Sequence, residues 1–321
     1  MGKITEGIFR ANVALPQGTN PLPTFRDPNH DALVRVKPGV SDEYQILMGL
    51  DCGKRYLPYQ LQDRYDRNRK EQDIPAIIME NAYLKATFLP TLGGRLISLF
   101  DKEANRELLY CNTSLQVCNL SNLDAWFAGG IEWNIGQYGH AFTTCSDVFA
   151  SLQKDEEGEE FLRLYEFERC KGLWWHIDFH LPDESKLLFA HVAIHNLTDE
   201  RTSLYYWTNT AVALTGSTRV LASSKEALYL DPYAPEGTRL FGHMRLPHME
   251  IYKDIDPTYP NQFSASNEYF FLCEKSSLPW ECAVESDGSG FFEASTHPLS
   301  FRKMFCWGSH AGGRRWQRYL A

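Results

Sequence analysis

The sequence predicts an all-β protein built of antiparallel sheets, on three observations. Apolar and polar residues alternate with a period of two in several separate stretches, turn-forming residues divide those stretches at hairpin spacing, and no capped apolar repeat of helical period runs for ten residues or more. The 321 residues, 13% of them aromatic, are enough for one large all-β domain with an extension, or for two ordinary domains.

Residues 1–75 are rich in Pro, Asn and Asp and hold only brief apolar runs such as Ile46-Leu47-Met48, which predicts an extended N-terminal arm with a few short strands. Within it, residues 60–72 mix Arg64, Arg67, Arg69 and Lys70 with Asp63, Asp66 and Glu71, a charge-balanced pattern that reads as a solvated linker. The first clear strand has Leu84, Ala86 and Phe88 alternating with Tyr83, Lys85 and Thr87, and Pro90 ends it. After Gly93-Gly94-Arg95, residues 96–100 and 107–110 flank a polar turn and predict a hairpin. Residues 159–168, 173–181 and 186–196 continue as strands, and 205–219 form a second dense segment. Residues 231–260 read as a long loop carrying His243, His248, Tyr252 and Tyr259, and 301–321 hold Trp307 and Trp316 among glycines.

Composition narrows the function. A formal net charge of -9 excludes nonspecific binding to nucleic acid or anionic membranes, both of which need a basic face; a neutral polar partner fits better. No apolar run reaches the roughly 18 residues that span a bilayer, and the N-terminus lacks the apolar core of a secretory signal, so the expectation is a cytoplasmic protein. Eight cysteines scattered without close C-x-x-C pairs read as reduced, structural thiols. Phosphate-binding glycine loops and a serine-hydrolase elbow are absent.

The richest chemistry lies in residues 126–140, WFAGGIEWNIGQYGH. Gly129 and Gly130 allow a tight turn or a close approach. In an extended segment Glu132 and Asn134 share one face, opposite Trp133, which brings a carboxylate and an amide together. Gln137, Tyr138 and His140 extend the polar row. Glu132 and His140 are the acid/base candidates, and Arg95, Trp133, Asn134, Gln137, Trp207 and Asn209 the substrate-binding ones. Trp207 beside Asn209 on one strand face pairs an indole with an amide, as a sugar ring and its hydroxyls require. Plainer readings stand beside each: a glycine-rich loop with core tryptophans, and a structural ion pair for Arg95. His176, Asp178 and His180 on one strand face offer metal-ligand types, but alternate polar residues are what any solvent-facing strand shows, so neither metal nor cofactor is expected.

Four segments in order, LPTLGGRLISLFDKEANRELLY, WFAGGIEWNIGQYGH, NLTDERTSLYYWTNTAV and KMFCWGSHAGGRRWQRYL, resemble a bacterial domain family of unknown function often joined to tetratricopeptide repeats and grouped with the galactose-mutarotase-like supersandwich. The resemblance covers roughly residues 75–321. It implies a large antiparallel β-supersandwich over residues 76–321, after the arm of residues 1–75, with a carbohydrate cleft on a concave face and glycoside hydrolase-like or sugar epimerase-like chemistry. A non-catalytic sugar-recognition module and a structural interaction domain are the alternatives. Where mutarotases carry a histidine that protonates the ring oxygen, this chain has Asn209, which cannot supply that proton. Relatives continue past Tyr319-Leu320 into a strand bearing a glutamate, so the resemblance also implies a chain lacking its last strands, with an edge covered by the arm or by a second copy in a homodimer.

Overall fold

The computed structural model describes residues 2–18, 20–24, 32–33, 35–47, 50–51, 57–117, 126–136, 139–235, 238–297, 299, 301–308, 311 and 313–315. The chain divides into two units, one of Met1–His30, Cys52–Ala211 and Leu320–Ala321, the other of Asp31–Asp51 and Val212–Tyr319. The regular elements of both are almost all strands, and the fold is all-β.

The first unit contains an eight-stranded sheet in the order Ser114–Gln116, Lys3–Ala14, Lys70–Glu80, Leu84–Leu89, Arg95–Asp101, Ile131–Gly136 and Tyr205–Thr210, with Arg106–Glu107 pairing Arg95–Asp101 as the hairpin partner. Only the Lys3–Ala14 and Ser114–Gln116 pairing is parallel. Residues 3–14 thus correct the picture of an arm of short strands. They form a twelve-residue strand paired with Lys70–Glu80 from Lys3 opposite Glu80 to Val13 opposite Lys70. The alternation is weak there because only its last part, Ala11, Val13 and Ala14, is buried. Ala11 and Val13 join Ile74, Ala76, Leu89, Ile97, Leu115 and Phe127 in one core. Lys70, the last cation of the charge-balanced stretch, already begins the partner strand.

A four-stranded antiparallel meander of Phe149–Lys154, Glu160–Glu168, Leu173–His180 and Phe189–Asn196 completes the larger elements of this unit. Each strand pairs with its neighbour in sequence, so the period-two stretches become hairpins directly.

In the second unit, a five-stranded sheet runs Phe301–Cys306, Asn267–Leu272, Glu226–Leu230, Leu240–Arg245 and Arg35–Val36, and a three-stranded sheet runs Arg219–Ala222, Trp280–Val284 and Gly290–Ala294. Tyr229, Phe263, Tyr269, Phe271 and Met304 form the centre of its core. Each such side chain contributes about 1.5–3 kcal/mol by leaving water. The stretch expected to be a loop, 231–260, contains the Leu240–Arg245 strand, in which buried Phe241 and Met244 flank exposed His243. No helix among the described residues is long and apolar enough to cross a membrane. Trp316 and the residues after it lie outside the described residues.

Candidate functional site

Six consecutive residues of the Ile131–Gly136 strand are all buried, so both faces of it meet protein. Ile131, Trp133 and Ile135 fall on one face, Glu132 and Asn134 on the other. The antiparallel Tyr205–Thr210 strand sets Asn209 opposite Glu132 and Trp207 opposite Asn134, so the four polar and aromatic candidates share a face. Gly130 immediately precedes the strand with φ +66, and a Cβ there would lie 2.2 Å from the Leu96 carbonyl oxygen. The Gly130 N–H donates to the Tyr110 carbonyl, and the Gly130 carbonyl accepts from Ala211, which ties the start of this strand to the end of its partner.

Glu132 is the hub, at 3% exposure. The Thr144 hydroxyl donates to Oε1. His140 Nδ1 lies 2.8 Å from Oε2, and the Asn134 and Asn209 amides donate to the same oxygen at 3.2 and 3.3 Å. Behind the carboxylate Arg95 reaches Oε1 at 3.5 Å; it donates to the Phe127 and Gly129 carbonyls at 3.1 and 2.9 Å and to the Thr144 hydroxyl at 2.9 Å, and lies over the Phe127 ring. Burial by itself would raise the Glu132 pKa. His140, Arg95 and Thr144 overcome that and hold it at about 2 instead of 4.5. Burial pulls the Arg95 pKa down while Glu132 pulls it back up.

An ionised Glu132 determines how the histidine is used. Two acceptors cannot share a hydrogen bond, so Nδ1 carries the proton and donates to Glu132, which leaves Nε2 as the ring nitrogen for proton exchange. The ring itself is held between indoles: Trp126 stacks on it at 4.4 Å and 15°, and Trp207 meets it edge-on at 4.9 Å. Trp207 is in turn anchored by its N–H to the Gly139 carbonyl at 3.0 Å. The Asn134 side-chain Oδ1 accepts the Ala141 N–H at 2.6 Å, which holds Ala141, next to His140, against the strand.

A family model described as a domain of unknown function (DUF5107) matches residues 53–229, more than half of the chain. The chain belongs to the DUF5107 family. Every member of the Glu132 cluster falls within the matched stretch of this DUF5107 chain. A TPR-domain containing protein from Parabacteroides distasonis ATCC 8503 has a similar fold, with a TM-score of 0.70 at 18% identity. That alignment covers 98% of this chain and 48% of the other, so the chain spans about half the length of that protein. A galactose mutarotase-like protein from Clostridium acetobutylicum is a more distant likeness, with 11% identity, a TM-score of 0.40, and coverage of 73% of this chain and 94% of that one.

In this DUF5107 domain the structure brings together Glu132, Asn134, His140, Trp207 and Asn209, and it corrects two other expectations. Arg95, at 1% exposure, is occupied by protein groups and serves as the ion pair behind Glu132, not as a fork for a ligand. Trp133 faces the other way, as the period of the strand requires. Its N–H donates to the Gly94 carbonyl and its ring packs on Phe179 in the core. Gln137 and Tyr138 lie outside the described residues. Thr144, which bonds both Arg95 and Glu132, had no sequence signal, since a threonine in a turn-rich stretch has no pattern of its own. Among the described residues, groups that can ligate a metal converge at His176, Asp178 and His191, on the four-stranded meander.

Proposed function

We propose that this domain binds a sugar or oligosaccharide at the Glu132 face and processes it by acid/base chemistry at a glycosidic or hemiacetal oxygen. The observation that carries this reading is the Glu132–His140 pair set between the indoles of Trp126 and Trp207. His140 Nε2 gives and takes the proton, and Glu132 orients the ring and stabilises its cationic form. Indoles offer flat apolar surface to a sugar ring, and the amide of Asn209 offers both a donor and an acceptor to hydroxyls. Among the described residues Cys111, Cys273, Cys282 and Cys306 carry no disulfide, which supports a reducing compartment such as the cytoplasm.

The test is a panel of oligosaccharides read by thermal shift and by product release. On a substrate that the panel identifies, His140→Gln is expected to lower turnover at least roughly 100-fold with little change in binding. Trp207→Ala is expected to weaken binding instead. Full turnover in His140→Gln would remove the catalytic role. A second reading, a non-catalytic recognition module, is favoured by one observation: the described cluster contains a single carboxylate, whereas glycosidases ordinarily use two. Sugar-dependent stabilisation without product from any member of the panel would select it.

A further inference from the structure

The four-stranded meander carries a second polar cluster, separate from the Glu132 site. Leu173–His180 and Phe189–Asn196 are antiparallel, with Asp178 opposite His191 and His176 opposite Ala193. Period two places His176, Asp178 and His191 on one face of this sheet. One ligand atom from each lies within 4.8 Å of the other two, and His176 Nε2 is 3.9 Å from Asp178 Oδ2. Donor atoms around a zinc ion are roughly 3.4 Å apart at its usual bond lengths, so a small rotation, chiefly of the exposed His191 side chain, closes the set.

The surroundings suit ligation. Arg163, from the adjacent Glu160–Glu168 strand, donates to Asp178 Oδ1 and Oδ2, both at 2.7 Å, which fixes the plane of the carboxylate and leaves each oxygen a further lone pair. Ligating carboxylates are commonly held by such outer hydrogen bonds. His195 stacks on His176 with ring centres 5.6 Å apart, limiting the rotation of that ring. Asp178 is buried, His176 half-buried and His191 exposed, so the three donors rise from the sheet toward solvent. His180, on the same strand, is not part of the set: its ring stacks on Phe161 at 4.7 Å.

We propose that His176, Asp178 and His191 form a site for a divalent transition-metal ion of the zinc class, with its remaining position open to water. Two imidazoles and one carboxylate are a ligand set that zinc accepts in proteins, and the ion would cross-link two neighbouring strands. The test is calorimetric titration of the full, metal-stripped chain with zinc, and with cobalt read by its visible absorption. One ion per chain is expected, with a zinc-dependent rise in Tm. His176→Ala and His191→Ala are each expected to weaken zinc binding about tenfold or more, and His180→Ala to leave it unchanged. His191 is exposed, so its variant keeps the fold and isolates the loss of a ligand. The proposal is overturned if the parent chain shows no zinc signal or if His191→Ala binds as tightly as the parent. An equal loss in His180→Ala also overturns it, since that outcome means generic chelation by surface histidines.

Discussion

Glu132→Gln is expected to cost about 3–5 kcal/mol of stability, the usual result of removing one partner from a buried ion pair. Arg95 would keep its charge in the interior and lose the carboxylate 3.5 Å away. The replacement is also mismatched chemically. Thr144, Asn134, Asn209 and His140 all present hydrogens to the two Glu132 oxygens, so a glutamine NH2 would point a donor at donors. The effect depends on pH with a definite sign. Because the folded-state pKa is depressed, the contribution of Glu132 is complete above the ordinary value of 4.5 and is lost as pH falls through about 2. Urea midpoints for parent and variant should therefore differ most at neutral pH and converge across that acid window. A gap that stayed constant from neutral pH to pH 2 would show that the charge is not what Glu132 contributes. Turnover measurements on this variant report stability as well as chemistry, which makes His140→Gln the cleaner probe of proton transfer.

Gly130→Ala is expected to be harsher still, costing more than about 4 kcal/mol or abolishing soluble expression. A Cβ at this position would meet Leu96 O at 2.2 Å, Ile97 Cα at 2.7 Å and Leu96 C at 2.9 Å, all backbone atoms of a central strand, so no side chain can swing away. The positive φ adds the usual penalty for a residue with a Cβ. Gly158→Ala is the control. Its φ is also positive, at +84, yet a Cβ there meets nothing within 4 Å, so only about 1–2 kcal/mol of backbone strain is expected. Thermal unfolding of the two variants separates steric exclusion from strain, and similar Tm losses would refute the role given to the Leu96 contact.

The parts of this fold that could be read in the sequence are those decided by local periodicity. The Leu84–Leu89 strand, the hairpin after Arg95 and the meander through Asn196 all have partners close in sequence, and alternation marks them. The same rule placed Glu132 with Asn134 and Trp207 with Asn209. What alternation cannot reveal is which distant strand lies opposite. The pairing of Lys3–Ala14 with Lys70–Glu80 was hidden for that reason. The meeting of Asp178 with His191 depends on the register of a hairpin, which alternation also leaves open. Arg95 and Thr144 show a further limit: a guanidinium after two glycines looks the same whether it faces a ligand or a buried carboxylate. Only burial separates the two cases.

The pairing of Ile131–Gly136 with Tyr205–Thr210 spans residues 137–204, and that separation governs the order in which the molecule comes together. Joining two strands across a long unstructured stretch is slow, because chain entropy is lost before any contact repays it. Here most of the intervening chain is the meander, whose hairpins need only their immediate neighbours and can form as soon as each strand is complete. During synthesis residues 149–196 can thus fold while residues 205–210 are still within the ribosome. At that stage Glu132 and Arg95 have been made and Asn209 and Trp207 have not reached them. The polar hub therefore needs the Tyr205–Thr210 strand, the last of this sheet to be synthesised, before it is complete.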